Sequence, residues 1–181
     1  MMVKTIFSGF GGQGVLMMGY SLAHGAMSAG YHVTFLPAYG AEVRGGTANC
    51  TVAVSDDEIA SPIASKPDNI VVLNAPSLST FQNRLAPGGA LFLNSSIIAV
   101  EPSRHDVRIF KIPSSEMAET LGNPRTANTV MMGAFLKITG LVPPDIYLSS
   151  MATVMGSKKK SVIEINRKAF AAGHEFLKTV E

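Results

Sequence analysis

The chain has one cysteine, no tryptophan, and only 15% charged residues among 181. The lone Cys50 cannot form an intramolecular disulfide, and it cannot by itself hold zinc or an iron–sulfur cluster, which need several ligands. Any redox centre would therefore belong to another chain. The surplus of cations is also small: 15 Lys and Arg against 13 Asp and Glu give +2, too little for the electrostatic footprint of nucleic-acid binding. The four histidines show no metal-site spacing. Between Thr5 and Ala41 there is no formal charge, yet Gly, Pro, Ser, His and Gln interrupt this stretch before it reaches the ~18 apolar residues of a membrane span. A glycine cluster occupies the place of a signal-peptide apolar core, so a soluble cytoplasmic protein is expected. Disorder is excluded by 46% hydrophobic residues and a mean hydropathy of +0.25, which supply enough apolar surface to offset ordering entropy.

The length suits a single domain over residues 1–181. Met2 to Ser8 is a β-prone run that ends in Gly9-Phe10-Gly11-Gly12-Gln13-Gly14, and Val15 to Ala29 reads as a helix stopped by Gly30. His32 to Leu36 is the next strand, which predicts a right-handed βαβ unit with its two strands as parallel neighbours. Pro37 to Gly46 is a loop and Thr47 to Val54 a strand. Ile70 to Asn74 and Ala90 to Asn94 are short buried strands flanking a helix over Pro76 to Leu85. Val107 to Ile112 is a further strand, followed by a helix from Ser114 with Glu116 and Glu119 in its early turns. Three helices follow: a buried one over Thr129 to Ile138, then Pro144 to Met155, then an amphipathic one over Val162 to Val180. The fold class is α/β, a three-layer α/β/α domain on a mainly parallel, Rossmann-like sheet.

Gly9, Gly11 and Gly14 satisfy G-x-G-x-x-G between strand and helix, where loop amides and a helix N-terminus hold phosphate. The same glycines also serve a tight turn and close packing, but Gln13 places a polar amide at the mouth, within reach of a ligand or partner. A dinucleotide site wants an acidic residue at the end of the second strand; Leu36-Pro37-Ala38 stands there instead, and Glu42 lies beyond it. Arg44, between Glu42 and Gly45-Gly46, either clamps a phosphate or carboxylate or pairs with Glu42. Asn128, at the head of the apolar helix, reads first as an N-cap. His24 and His32 read as satisfied packing residues, the seven methionines at helical spacing as core gap-fillers, Cys50 as a buried inert thiol, and Lys158-Lys159-Lys160 as a solvated run.

Taken together, GFGGQG at Gly9 to Gly14, PAYGAEVRGGTANC at Pro37 to Cys50, VSDDEIASP at Val54 to Pro62 and TANTVMMGAF at Thr126 to Phe135 resemble the gamma subunit of 2-oxoacid:ferredoxin (acceptor) oxidoreductases. That subunit in turn resembles the third domain of one-chain pyruvate:ferredoxin oxidoreductases. The resemblance implies a non-autonomous subunit, inactive alone, in a complex that converts a 2-oxoacid to an acyl-coenzyme A and reduces ferredoxin. It implies alpha, beta and ferredoxin-like delta partners carrying thiamine diphosphate, magnesium and iron–sulfur clusters. It further implies that coenzyme A docks on this subunit, with its phosphates along Gly11, Gly12, Gln13 and Gly14 and with Arg44 and Asn128 at the same mouth. No catalytic residue and no metal ligand is assigned. The loop motif looks most like the 2-oxoglutarate branch, then the branched-chain 2-oxoisovalerate enzymes, with pyruvate and indolepyruvate behind. Expressed alone, the chain is expected to form a homodimer through surface its partners would cover. Two other readings stay open: a free-standing Rossmann-type nucleotide-binding protein, and a purely structural subunit.

Overall fold

A computed structural model describes residues 1–40, 46–156 and 158–176. Six strands form one sheet: β1 (Met2–Phe10), β2 (His32–Tyr39), β3 (Thr47–Ser55), β4 (Asn69–Val72), β5 (Ala90–Asn94) and β6 (Arg108–Ile112). Six α-helices accompany them: α1 (Val15–Ser28), α2 (Ala75–Phe81), α3 (Ser114–Thr120), α4 (Ala127–Thr139), α5 (Pro144–Met155) and α6 (Lys160–Phe176). The strand order is β2-β3-β1-β4-β5-β6. β1, β4, β5 and β6 run parallel, whereas β3 is antiparallel to both β1 and β2. The expected α/β class and mainly parallel sheet hold, but β1 and β2 are not neighbours. β3 lies between them, pairing Phe7 with Cys50 on one side and Phe35 with Val52 on the other.

The helix expected over Pro76 to Leu85 divides into α2 and a 3₁₀ turn over Gln82–Arg84. Asn74 caps α2 by accepting the Ser77 amide at 2.9 Å, which leaves it outside the β4 ladder. The end of the amphipathic C-terminal run, including Leu177 and Val180, lies outside the described residues.

Alternation along the strands sends side chains to two faces. Phe7, Cys50, Val52, Val71 and Phe92 point to the face covered by α1 and by the helices of the C-terminal half. There Phe135 of α4 meets Phe7 and Phe92 edge-on, with ring centroids 5.5 and 5.3 Å apart. Ile6, Ile70, Val72, Leu91 and Leu93 point to the other face, beneath Leu78 and Phe81 of α2 and the nearby Leu85. Because α1 and α2 follow adjacent parallel strands onto opposite faces, a crevice opens beyond the carboxyl ends of β1 and β4, where α/β sheets bind ligands.

α4 and α6 cross at two glycines. A methyl on Gly133 would strike the Phe170 carbonyl, and one on Gly173 the Val130 carbonyl. This crossing and the Thr129 to Asn166 hydrogen bond of 2.7 Å fix α4, whose N-terminus borders the crevice.

Candidate functional site

The loop after β1 is braced through Gln13. Its Oε1 accepts from the Phe10 amide at 2.7 Å and from Asn74 Nδ2 at 3.2 Å, and its Nε2 donates to the Leu73 carbonyl at 3.2 Å. The polar group that sequence placed at the mouth thus ties the loop to the end of β4 across the crevice. The Gly11 amide is also engaged, donating to the Gly46 carbonyl at 3.0 Å. Among the described residues, the amides of Gly12, Gly14 and Val15 have no acceptor. Gly12 and Gly14 have φ of 97° and 78°, values that favour glycine.

Asn128 does not cap α4. Thr126 is the residue before the helix, and it makes no side-chain cap bond; Asn128 lies inside the first turn and donates through Nδ2 to the Gly14 carbonyl at 3.4 Å. Its side chain fills the place where a Cβ on Gly14 would go. Positions 14 and 128 are in this way packed against each other. Arg44 and Glu42 lie outside the described residues, but their flank Gly46 sits on Gly11.

A cavity of about 240 Å³ opens at this junction. It is lined by Gly12 and Gln13 of the loop, Ala127 and Asn128 of α4, Leu73 and Asn94 at the ends of β4 and β5, and Ser115 of α3. Pro124 and Arg125 complete the lining. Among the described residues no carboxylate lines it, and neither α1 nor α4 has an acidic residue in its first turn. Two helix N-termini and one arginine give it a positive field suited to an anion. Sequence reasoning missed Asn94, Ser115 and Arg125. Asn94 ends the strand ALFLN just as Asn74 follows IVVL, and Arg125 directly precedes the segment that carries Asn128. Asn94 is buried and donates to Ser115 Oγ at 2.8 Å.

The remaining residues divide. Cys50 is fully buried, and burial pushes its thiol up to about 12, as expected of an inert group. His32 is exposed instead of packed, and the buried Nδ1 of His24 has no partner among the described residues. Met17 and Met27 are exposed, unlike Met18, Met131, Met132 and Met151. Lys158, Lys159 and Lys160 are exposed. Among the described residues, no group of three or more His, Cys, Asp or Glu could hold a metal ion, and no helix is long and apolar enough to cross a membrane.

The pyruvate ferredoxin/flavodoxin oxidoreductase family matches residues 4–176. The chain belongs to this family. It is 40% identical over 176 residues to a ketoisovalerate oxidoreductase subunit of Methanothermobacter thermautotrophicus, covering 96% of this chain and 36% of the relative. The chain therefore spans about a third of that relative's length. A 2-oxoglutarate synthase subunit of Methanocaldococcus jannaschii is 31% identical, with 94% of this chain and 91% of the relative covered. Among solved structures, the gamma subunit of a keto/oxoacid ferredoxin oxidoreductase from Geobacter sulfurreducens superposes with a TM-score of 0.84 at 25% identity, covering 97% of this chain and 95% of that one. A 2-oxoglutarate:ferredoxin oxidoreductase from Magnetococcus marinus, described with 2-oxoglutarate, coenzyme A and succinyl-coenzyme A bound, shares the fold. Its TM-score is 0.90 at 23% identity, covering 98% of this chain and 31% of that one.

Proposed function

We propose that this chain is the gamma-type subunit of a 2-oxoacid:ferredoxin oxidoreductase and that the cleft between the glycine loop and α4 docks coenzyme A. In the overall reaction the 2-oxoacid loses carbon dioxide, an electron pair passes to ferredoxin, and the acyl group forms a thioester with coenzyme A. Alpha, beta and ferredoxin-like delta partners would carry the thiamine diphosphate, magnesium and iron–sulfur clusters. The observation that carries the docking role is a cleft at two helix N-termini that, among the described residues, has unpaired loop amides and no carboxylate. The Gly12 and Gly14 amides would hold phosphate, Gly11 and Gln13 would shape the loop, and Asn128 would fix its far side. Arg44 joins this set by resemblance, on a segment whose flank is bonded to Gly11.

An exposed apolar surface supports the subunit role. Met17 and Tyr20 of α1 lie with Phe35, Pro37 and Tyr39 of β2 around a shallow depression, Tyr39 being 72% exposed. Such a patch on an edge strand suits a partner subunit, or a second copy when the chain is alone. A free-standing dinucleotide-binding protein is disfavoured by the strand order, because β3 separates the end of β2 from the glycine loop and β2 ends without an acidic residue. The purely structural reading predicts cleft variants with altered assembly and unaltered coenzyme A affinity.

The loop motif points to 2-oxoglutarate, while 40% identity to a ketoisovalerate relative, against 31% to a 2-oxoglutarate one, favours a branched-chain 2-oxoacid. We take 2-oxoisovalerate as the first substrate to assay. The test is coenzyme A-dependent ferredoxin reduction by the assembled complex with 2-oxoisovalerate, 2-oxoglutarate and pyruvate. Turnover of one of them supports the reading; no coenzyme A-dependent turnover with any 2-oxoacid refutes it.

A further inference from the structure

Among the described residues, Arg125 is the only formally charged one lining the cleft. Its backbone is held rigidly. The Arg125 amide donates to Asn123 Oδ1 at 3.2 Å, and buried Thr126 donates through both its amide and its Oγ1 to the Asn123 carbonyl at 3.0 and 2.8 Å. The guanidinium, by contrast, is exposed and has no partner among the described residues.

Three other cations spend their charge locally. Arg104 grips Asp106 at 2.6 Å, Lys111 grips Glu101 at 2.6 Å, and Arg84 donates to the Ala64 carbonyl at 2.7 Å while lying over Phe81. A fork with five donors, lining the same cleft as unpaired loop amides and with no carboxylate among the described lining residues, is equipped to grip a phosphate.

We propose that Arg125 binds a phosphate group of coenzyme A in the cleft it lines with the glycine loop and so sets the enzyme's affinity for this acyl acceptor. This rests on the coenzyme A reading above. The phosphate is then held by backbone amides and a charged fork together.

The test is the Kd of coenzyme A for the assembled complex, measured by calorimetry for wild type, Arg125→Gln, Arg125→Lys and Gly12→Ala. Arg125 is exposed and its side chain has no partner among the described residues, so its substitutions leave the fold intact. Gly12 lines the cleft, and a methyl there meets no described atom within 4 Å. The expected result is about 10- to 100-fold weaker binding for Arg125→Gln, the usual loss for a charge-assisted hydrogen bond. Partial recovery is expected in Arg125→Lys, together with a gap between wild type and Arg125→Gln that narrows as salt is raised. Unchanged affinity in Arg125→Gln with weakened affinity in Gly12→Ala overturns the role of Arg125 alone. Unchanged affinity in both variants overturns the cleft as the coenzyme site.

Discussion

Gly14 and Asn128 are 114 residues apart, and their packing permits a quantitative test of the site's construction. Gly14→Ala places a methyl at φ 78°, which costs about 1–2 kcal/mol for a non-glycine residue in the left-handed region. The same methyl lands on the Asn128 carboxamide, whose Cγ would be 2.9 Å away, and overpacking of this kind costs about 1–3 kcal/mol. The single substitution should therefore destabilise by about 2–5 kcal/mol. Asn128→Ala alone loses two long hydrogen bonds, to the Gly14 carbonyl and from Thr129 Oγ1, together about 0.5–1.5 kcal/mol. In the double variant the nearest Asn128 atom left is Cβ at 3.4 Å, so only the backbone strain remains. Equilibrium urea unfolding of all four proteins should show a coupling of about 1–3 kcal/mol, with the double variant more stable than Gly14→Ala. Additivity within about 0.5 kcal/mol would refute the claim that loop and α4 form one packed unit.

Gln13→Ala removes three hydrogen bonds at the loop and should lower Tm by about 3–10 °C, from about 1.5–3 kcal/mol of lost stability; a shift below 1 °C in differential scanning calorimetry would contradict the bracing role. Gly173→Ala drives a methyl into the Val130 carbonyl and should cost about 2–4 kcal/mol in urea unfolding, whereas Gly140→Ala, left-handed at φ 60° and ψ 14° and meeting no described neighbour, should cost only its backbone strain of about 1–2 kcal/mol. Burial raises the Cys50 thiol to about 12 from an ordinary 9.0, so the folded chain keeps its proton while the unfolded chain loses it. Stability from this group is complete below about pH 9 and falls by about 1.4 kcal/mol per pH unit until the folded thiol ionises. Urea midpoints followed from pH 8 to 11 should fall less steeply in Cys50→Ala, leaving the slope from Tyr147, whose hydroxyl is also pushed up by burial.

Local signals carried most of the architecture. Gly30, with φ 91°, ends α1 where expected, and the α5 boundaries at Pro144 and Met155 agree with the sequence reading. The position of β3 was not legible. A connection as short as Gly40 to Gly46 requires β2 and β3 to be antiparallel, but nothing local says that the hairpin turns back to insert against β1. Asn128 was misplaced as a cap because its neighbour across the turn is Gly14, a long-range contact that spacing does not reveal. Gln13 was legible as a special residue, while its engagement with Leu73 and Asn74 depends on β4 lying beside β1. Arg125 escaped notice because its significance comes from the cleft it lines and not from any local pattern.

The account rests on this chain working inside a redox complex. The most direct measurement is to tag the chain in its own host, purify it gently, and record its partners by mass spectrometry together with the visible absorption of the eluate. The account predicts a brown eluate with iron–sulfur absorption and a thiamine diphosphate-binding partner. A colourless, solitary protein that binds NAD(P) would contradict it.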